Sequence, residues 1–175
     1  MNKALFLDRD GVINVNHGYV HLPKQFDFID GIFDICRQAK KLGYLIIVVT
    51  NQAGIGRGYY SENTFLELTE WMKQKFLDEG VEITEVYFCP DHPEHGVGPY
   101  KKESYFRKPA PGMILAAVDH FNINVKESIL VGDKLSDIEA GKAAGIGLNI
   151  LFTSDSQASS EIFIINKIHK LSQWL

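Results

Sequence analysis

Two carboxylates, Asp8 and Asp10, follow the run Lys3-Ala4-Leu5-Phe6-Leu7 and lead into Gly11-Val12-Ile13-Asn14. An extended chain sends alternate side chains to one side, so both are expected to emerge together, a few ångströms apart. Like charges that close are unfavourable unless one is protonated or a cation lies between them, so the pair points to metal-assisted chemistry. A polar strand end before a tight Gly turn is the bland alternative.

The surrounding pattern supplies elements that can hold such a pair. Ala4–Leu7, Leu45–Val49, Val86–Cys89, Ile129–Val131 and Leu148–Phe152 read as buried strands, nearly continuous in apolar residues. Between them Ile32–Leu42, Glu62–Glu79, Pro111–Phe121 and Ser136–Ala144 read as helices, with Gly43, Gly80 and Gly145 at their ends. Ile162–Ile165 reads as a short edge strand, followed by a helix through Trp174. This alternation predicts an α/β fold, a doubly wound, Rossmann-like, mostly parallel sheet, in one domain over residues 1–175. Two long connections, Asn14–Asp30 and Pro90–Arg107, are long enough to be functional, whereas Asp155–Ser160 reads as a plain surface turn.

Composition narrows the function classes. A hydrophobic share of 45% and a charged share of 23% suit a soluble globular protein. The net charge of −4 gives no reason to expect nucleic acid or an anionic membrane as partner. No apolar run approaches the ~20 residues that span a bilayer. Asp8, Arg9 and Asp10 also break the N-terminal stretch that a signal peptide would need. With only Cys36 and Cys89, a reducing cytoplasm and a compact monomer are expected.

Ligands of open α/β sheets bind beyond the carboxyl ends of the strands. The first strand brings Asp8 and Asp10 there, and the second brings Thr50 and Asn51 with Gln52-Ala53-Gly54-Ile55-Gly56-Arg57-Gly58. The fourth brings Gly132-Asp133-Lys134-Leu135-Ser136-Asp137, and the connection before the third helix brings Arg107-Lys108-Pro109. Taken singly, each has a structural alternative. Thr50-Asn51 can cap a turn, Asp133 and Asp137 can cap a helix, and Arg107-Lys108 can be a solvated charge pair. Gly54, Gly56 and Gly58 lack the spacing and the following helix of a dinucleotide fingerprint. Their joint occurrence at predicted strand and loop ends favours a functional site.

Together Asp8-Arg9-Asp10-Gly11-Val12-Ile13, Thr50-Asn51, Lys108-Pro109 and Gly132-Asp133-Lys134-Leu135-Ser136-Asp137 resemble the four ordered motifs of haloacid-dehalogenase (HAD) phosphatases, over Lys3 to about Thr153. Within that superfamily Ile13–Val20, Thr50–Gly58 and Arg107–Met113 look like the D-glycero-D-manno-heptose 1,7-bisphosphate phosphatases, relatives of the histidinol-phosphate phosphatases. The resemblance implies a HAD-like fold and Mg²⁺-dependent removal of the 7-phosphate of a small sugar phosphate, in nucleotide-activated heptose biosynthesis. It implies Asp8 as nucleophile and Asp10 as acid–base. Thr50 and Lys108 would stabilise the phosphoryl group. Mg²⁺ would be held by Asp8, Asp133 and the backbone carbonyl of Asp10, with Asp137 in support. Substrate contacts would come from Asn16, His17, Gly18, Tyr19, Asn51, Gln52, Ala53, Arg107 and Lys134. For His17, a structural hydrogen bond in a turn is an equal alternative. The chain has no room for a large cap domain, so the long loops would shape the pocket.

One stretch departs from the pattern. These relatives commonly hold a structural zinc in the loop before Arg-Lys-Pro, through Cys-x-His and Cys-x-Cys. Here Asp91 takes the histidine position and Ser104 and Phe106 the second cysteine pair, so only Cys89 remains. A metal-free loop packed by Tyr100, Tyr105 and Phe106 is expected instead of a Zn²⁺ site, with Cys89, His92 and His95 as the alternative ligand set. Two other functions compete. One is histidinol-phosphate hydrolysis. The other is a phospho-accepting receiver domain, which Asp10 argues against because such domains need no acid–base group two residues beyond the phosphorylated Asp.

Overall fold

The computed structural model describes residues 1–154 and 162–175. Six parallel strands, in the order β3-β2-β1-β4-β5-β6, form one sheet. They are β1 (Lys3–Leu7), β2 (Tyr44–Asn51), β3 (Glu85–Cys89), β4 (Ile129–Gly132), β5 (Leu148–Phe152) and β6 (Phe163–Ile165). The helices are α1 (Ile32–Lys41), α2 (Ala53–Gly56), α3 (Glu62–Asp78), α4 (Gly112–Phe121) and α5 (Leu135–Ala143). The chain winds outward from β1 through β2 and β3, then returns to pair β4 with β1. The order therefore reverses between β1 and β4, where α/β sheets open a crevice for ligands.

Alternation along the strands divides the interior between the two faces of the sheet. Leu5, Leu7, Ile46 and Val48 pack with Ile32, Ile35 and Ala39 of α1 and Leu68, Met72 and Phe76 of α3. Ala4, Phe6, Ile47 and Val49 pack with Met113, Ile114 and Ala117 of α4 and Ile138 and Ala140 of α5. Burial on both faces explains why β1 and β2 read as unbroken apolar runs. Gly43 closes α1 with φ +85°, a left-handed turn that residues with a side chain rarely adopt.

One expectation changes at the C-terminal end, and one element is added beside β2. The helix expected through Trp174 is a 3₁₀ segment, Ile168–Gln173, whose Ile168 and Leu171 join the α1 side of the core. Gln52 to Gly58 contains the short helix α2, which the sequence pattern did not assign. The turn expected at Asp155–Ser160 lies outside the described residues. No helix of the described residues is long and apolar enough to cross a membrane.

Candidate active site

Beyond the carboxyl ends of the strands lies a cavity of about 500 Å³. Its lining includes Asp8, Asp10, Thr50, Lys108 and Asp137, and Asn16, Gly18, Tyr19, Asn51, Gln52, Ala53, Arg107 and Lys134 also line it. His17 does not; its Nε2 lies 2.7 Å from Asp27 Oδ2, the structural hydrogen bond that was the alternative for it.

At the floor, Lys108 is almost fully buried, and its ammonium group reaches Val49 O at 2.7 Å, Asp8 Oδ1 at 3.0 Å and Asp137 Oδ1 at 2.6 Å. These three contacts use all its donors, so Lys108 acts on a ligand first as a fixed charge. Burial pulls its pKa down, but the adjacent Asp8 and Asp137 charges more than reverse that, and the net direction is upward. Its backbone is clamped by Asn51, which accepts from Lys108 N and donates to Lys108 O, both at 3.0 Å. Asn51, expected as a substrate contact, thus has its amide engaged in holding the lysine. The second oxygen of Asp137 accepts from Lys134 N at 2.9 Å at the start of α5. Gly132 lets the end of β4 meet this carboxylate, because a Cβ there would collide with the Asp137 side chain.

Asp8 and Asp10 resolve their repulsion differently from the sequence expectation. Arg9, between them, turns inward, is 1% exposed, and pairs with Asp10 through Nε and Nη2 at 3.1 and 2.9 Å. Its guanidinium lies between the rings of Phe26 and Phe65, at 5.8 and 5.7 Å, and donates to Val20 O. Asn14 and Gln52 add one N–H each to Asp10. Arg9 was not singled out from the sequence, because a charged residue just past the end of β1 carries no local sign that it turns inside.

The acidic group that can share a cation is therefore Asp8, Asp133 and Asp137, whose oxygens lie within 4.8 Å of one another. Asp133 Oδ1 is buried with no hydrogen-bond partner. Gly11, with φ +93°, makes room for this carboxylate, because a Cβ there would overlap Asp133 Oδ2. Burial raises the pKa of Asp133, against the neighbouring Lys134 charge. Burial likewise pushes Asp8 from its ordinary 3.8 up to about 7, against the Lys108 charge and with help from Asp137 and Asp133. An orphaned buried oxygen and two carboxylates driven toward protonation are what a missing positive charge leaves behind, and all-oxygen donors suit a hard divalent cation. With both Asp137 oxygens already bonded, Asp8 and Asp133 fit the cation best.

The pKa of Asp8 has a consequence for stability. Without metal, the folded protein retains the Asp8 proton up to about pH 7, whereas the unfolded chain releases it near pH 4. The unfolded state then binds fewer protons between those values, so this group costs stability as pH rises through that window. Calorimetry in EDTA should show the wild-type protein losing Tm relative to Asp8→Asn between pH 4 and 7. Saturating Mg²⁺ should remove the difference. A wild type that gains on the variant over that window would contradict the assignment.

The loop before Arg107 differs from expectation in its packing. Tyr105 and Phe106 are 60% and 44% exposed, and only Tyr100 packs inward, with Ile55, Tyr60 and Phe65. Hydrogen bonds hold the loop instead: His92 N to Tyr100 O, Gly96 N to His92 O and Arg107 Nη1 to Asp91 O. The Cys89 thiol points to Asp91 Oδ2 at 3.9 Å, and His92 Nδ1 accepts from Glu94 N and His95 N. Backbone partners supply the order that the aromatic side chains were expected to give. His92, Arg57, Tyr60 and Ser136 also line the cavity and were missed as site residues. Arg57 was legible only in part, because its place at the end of α2 depends on a helix that the sequence pattern did not assign.

A family model described as HAD-hydrolase-like matches residues 105–162. The D-glycero-alpha-D-manno-heptose-1,7-bisphosphate 7-phosphatase of Burkholderia mallei is 63% identical over 150 residues, covering 86% of this chain and 79% of that protein. The D-glycero-beta-D-manno-heptose-1,7-bisphosphate 7-phosphatase of Vibrio cholerae is 53% identical over 148 residues, covering 85% and 80%. The crystal structure of D,D-heptose 1,7-bisphosphate phosphatase from B. bronchiseptica, complexed with magnesium and phosphate, shares the fold with TM-score 0.83 at 20% identity, covering 99% of each chain. Four motifs meeting at the β1/β4 crevice and identity of this extent lead to one statement: the chain belongs to the HAD family of D-glycero-D-manno-heptose-1,7-bisphosphate 7-phosphatases.

Proposed function

We propose that this protein hydrolyses the 7-phosphate of D-glycero-D-manno-heptose 1,7-bisphosphate through an aspartyl phosphate on Asp8. The observation that carries the reading is the floor of the cavity, where Asp8 meets a buried lysine and an acidic pair beside an orphaned carboxylate oxygen. Asp8 and Asp133, with the Asp10 carbonyl, would hold Mg²⁺, which when bound offsets negative charge and lets an anionic carboxylate approach an anionic phosphate.

The chain's own residues divide the remaining work. Arg9 N and Lys108 Nζ both donate to Asp8 Oδ1, which fixes the rotation of the nucleophile's carboxylate. As the Asp8 oxygen–phosphorus bond forms, the C7 oxygen–phosphorus bond breaks, and Asp10 gives a proton to the departing alkoxide. Water then attacks phosphorus, Asp10 accepts its proton, and the bond to Asp8 breaks to release phosphate. The contacts to Asp10 all come from N–H donors, which suits the carboxylate form that receives this proton. Lys108 offsets charge on the phosphoryl group, and Thr50 donates a hydrogen bond to it.

Specificity is supported by the walls. Arg57, Arg107 and Lys134 line the cavity, and none forms an ion pair with a carboxylate among the described residues. Cations in a pocket with no carboxylate paired to them suit a substrate with a second phosphate. The test is phosphate release from the α and β heptose bisphosphates and from histidinol phosphate, each with Mg²⁺. The α anomer comes first, because the relative with 63% identity is named for it. Either bisphosphate should exceed histidinol phosphate in kcat/KM by at least ~100-fold, about 2.7 kcal/mol of transition-state preference. A preference for histidinol phosphate would overturn the substrate assignment.

A further inference from the structure

Behind Thr50 and Asp10 runs a buried relay that the proposed chemistry does not yet use. Tyr60, 9% exposed, donates its hydroxyl to Gln52 Oε1 at 2.6 Å. Gln52, 2% exposed, donates through Nε2 to Thr50 Oγ1 at 2.9 Å and to Asp10 Oδ2 at 3.1 Å. The direction of the amide follows from its neighbours. Turned over, it would aim its oxygen at the Asp10 carboxylate and lose both acceptors for its N–H groups.

Direction matters for the hydroxyl of Thr50. Because Thr50 Oγ1 accepts from Gln52, its own hydrogen is left to donate elsewhere, and Thr50 lines the cavity. The ring of Tyr60 is held in turn by His21, stacked at 4.9 Å with 7° between planes. Gly54 makes room for it, since a Cβ there would overlap the Tyr60 ring. Burial pushes the Tyr60 hydroxyl up to about 12, which keeps its donor proton in place across ordinary pH.

We infer that Tyr60 is a positioning residue: it orients the Gln52 amide so that Thr50 presents a donor to the phosphoryl group and Asp10 is held at the leaving group. Removing its hydroxyl leaves Gln52 Oε1 buried without a donor. The amide then keeps two of its three anchors, so its N–H groups hold Thr50 and Asp10 less firmly. The inference rests on the catalytic roles proposed above for Thr50 and Asp10.

The test compares Tyr60→Phe, Gln52→Ala and the double variant, all in saturating Mg²⁺, on heptose 1,7-bisphosphate and on p-nitrophenyl phosphate. Tyr60→Phe keeps the ring and its stacking, so it should fold with a Tm close to the wild type. Its kcat should fall about tenfold with KM within twofold of the wild type, the signature of a lost transition-state interaction. In the double variant, kcat should equal that of Gln52→Ala alone, because Tyr60 acts only through Gln52. Multiplying effects would overturn the relay, as would an unchanged kcat with a lower Tm. A raised KM at normal kcat would make Tyr60 a substrate contact instead. A wild type active on p-nitrophenyl phosphate but not on the bisphosphate defeats the substrate reading, and the relay is then judged on p-nitrophenyl phosphate.

Discussion

Asp8→Asn should lower phosphate release by ~10⁴-fold or more while leaving the fold intact, as expected when a nucleophile is removed without a change of shape. The amide oxygen of Asn can still accept from Arg9 N, which now donates to Asp8 Oδ1 at 2.8 Å. The substitution also takes one negative charge out of a buried cluster whose crowding pushes Asp8 up to about 7. Without metal at pH 8 the variant should therefore melt at or above the wild-type temperature. Phosphate release and calorimetry on the same samples check both halves. Activity within tenfold of the wild type would mean that another group attacks phosphorus.

Lys108→Met should damage stability and activity together, which separates it from Asp8→Asn. The lysine is 3% exposed and bridges two carboxylates beside the Val49 carbonyl. Removing it strands Asp8 and Asp137 as buried like charges, and breaking a buried pair from one side costs about 3–5 kcal/mol. For a chain of this size that is roughly a 10 °C loss in Tm. The loss should be larger at pH 8 than at pH 5, because at the lower pH the stranded Asp8, pushed up to about 7 by burial, is neutralised by a proton. Activity should fall at least ~10³-fold, since the charge facing the phosphoryl group disappears. A Tm within 2 °C of the wild type at pH 8 would show that the cluster does not depend on Lys108.

Much of the architecture was legible because its causes are local. Strands buried on both faces must be apolar nearly throughout, so β1 and β2 stood out as runs and the helices as the segments between them. Gly43 and Gly145 marked helix ends because their φ values, +85° and +80°, disfavour residues with side chains. The residues proposed for catalysis were legible for a related reason: each stands at the end of a strand or in a loop reaching the same edge of the sheet. α2 was hidden because two of its four residues are glycines, poor helix formers that are required here because a Cβ at Gly54 or Gly56 would overlap Tyr60 or the Pro90 carbonyl.

The division of labour within the site was a matter for the tertiary structure. Sequence spacing set Asp8 and Asp10 against each other and asked for one cation between them. In the fold, Arg9 neutralises Asp10 from within, while Asp8 shares its surroundings with Asp133 and Asp137, far away in sequence. The same holds for Asn51 and Gln52. As residue types they suit a ligand, but their amides are engaged by Lys108 and by the Tyr60–Thr50–Asp10 relay. The amino-acid sequence determined which chemical groups reach the carboxyl edge of the sheet, because strand alternation and chain punctuation act within a few residues. Which groups face the ligand and which hold their neighbours was decided only by long-range packing, because a hydrogen-bond donor has no assigned partner until the chain brings one within 3 Å.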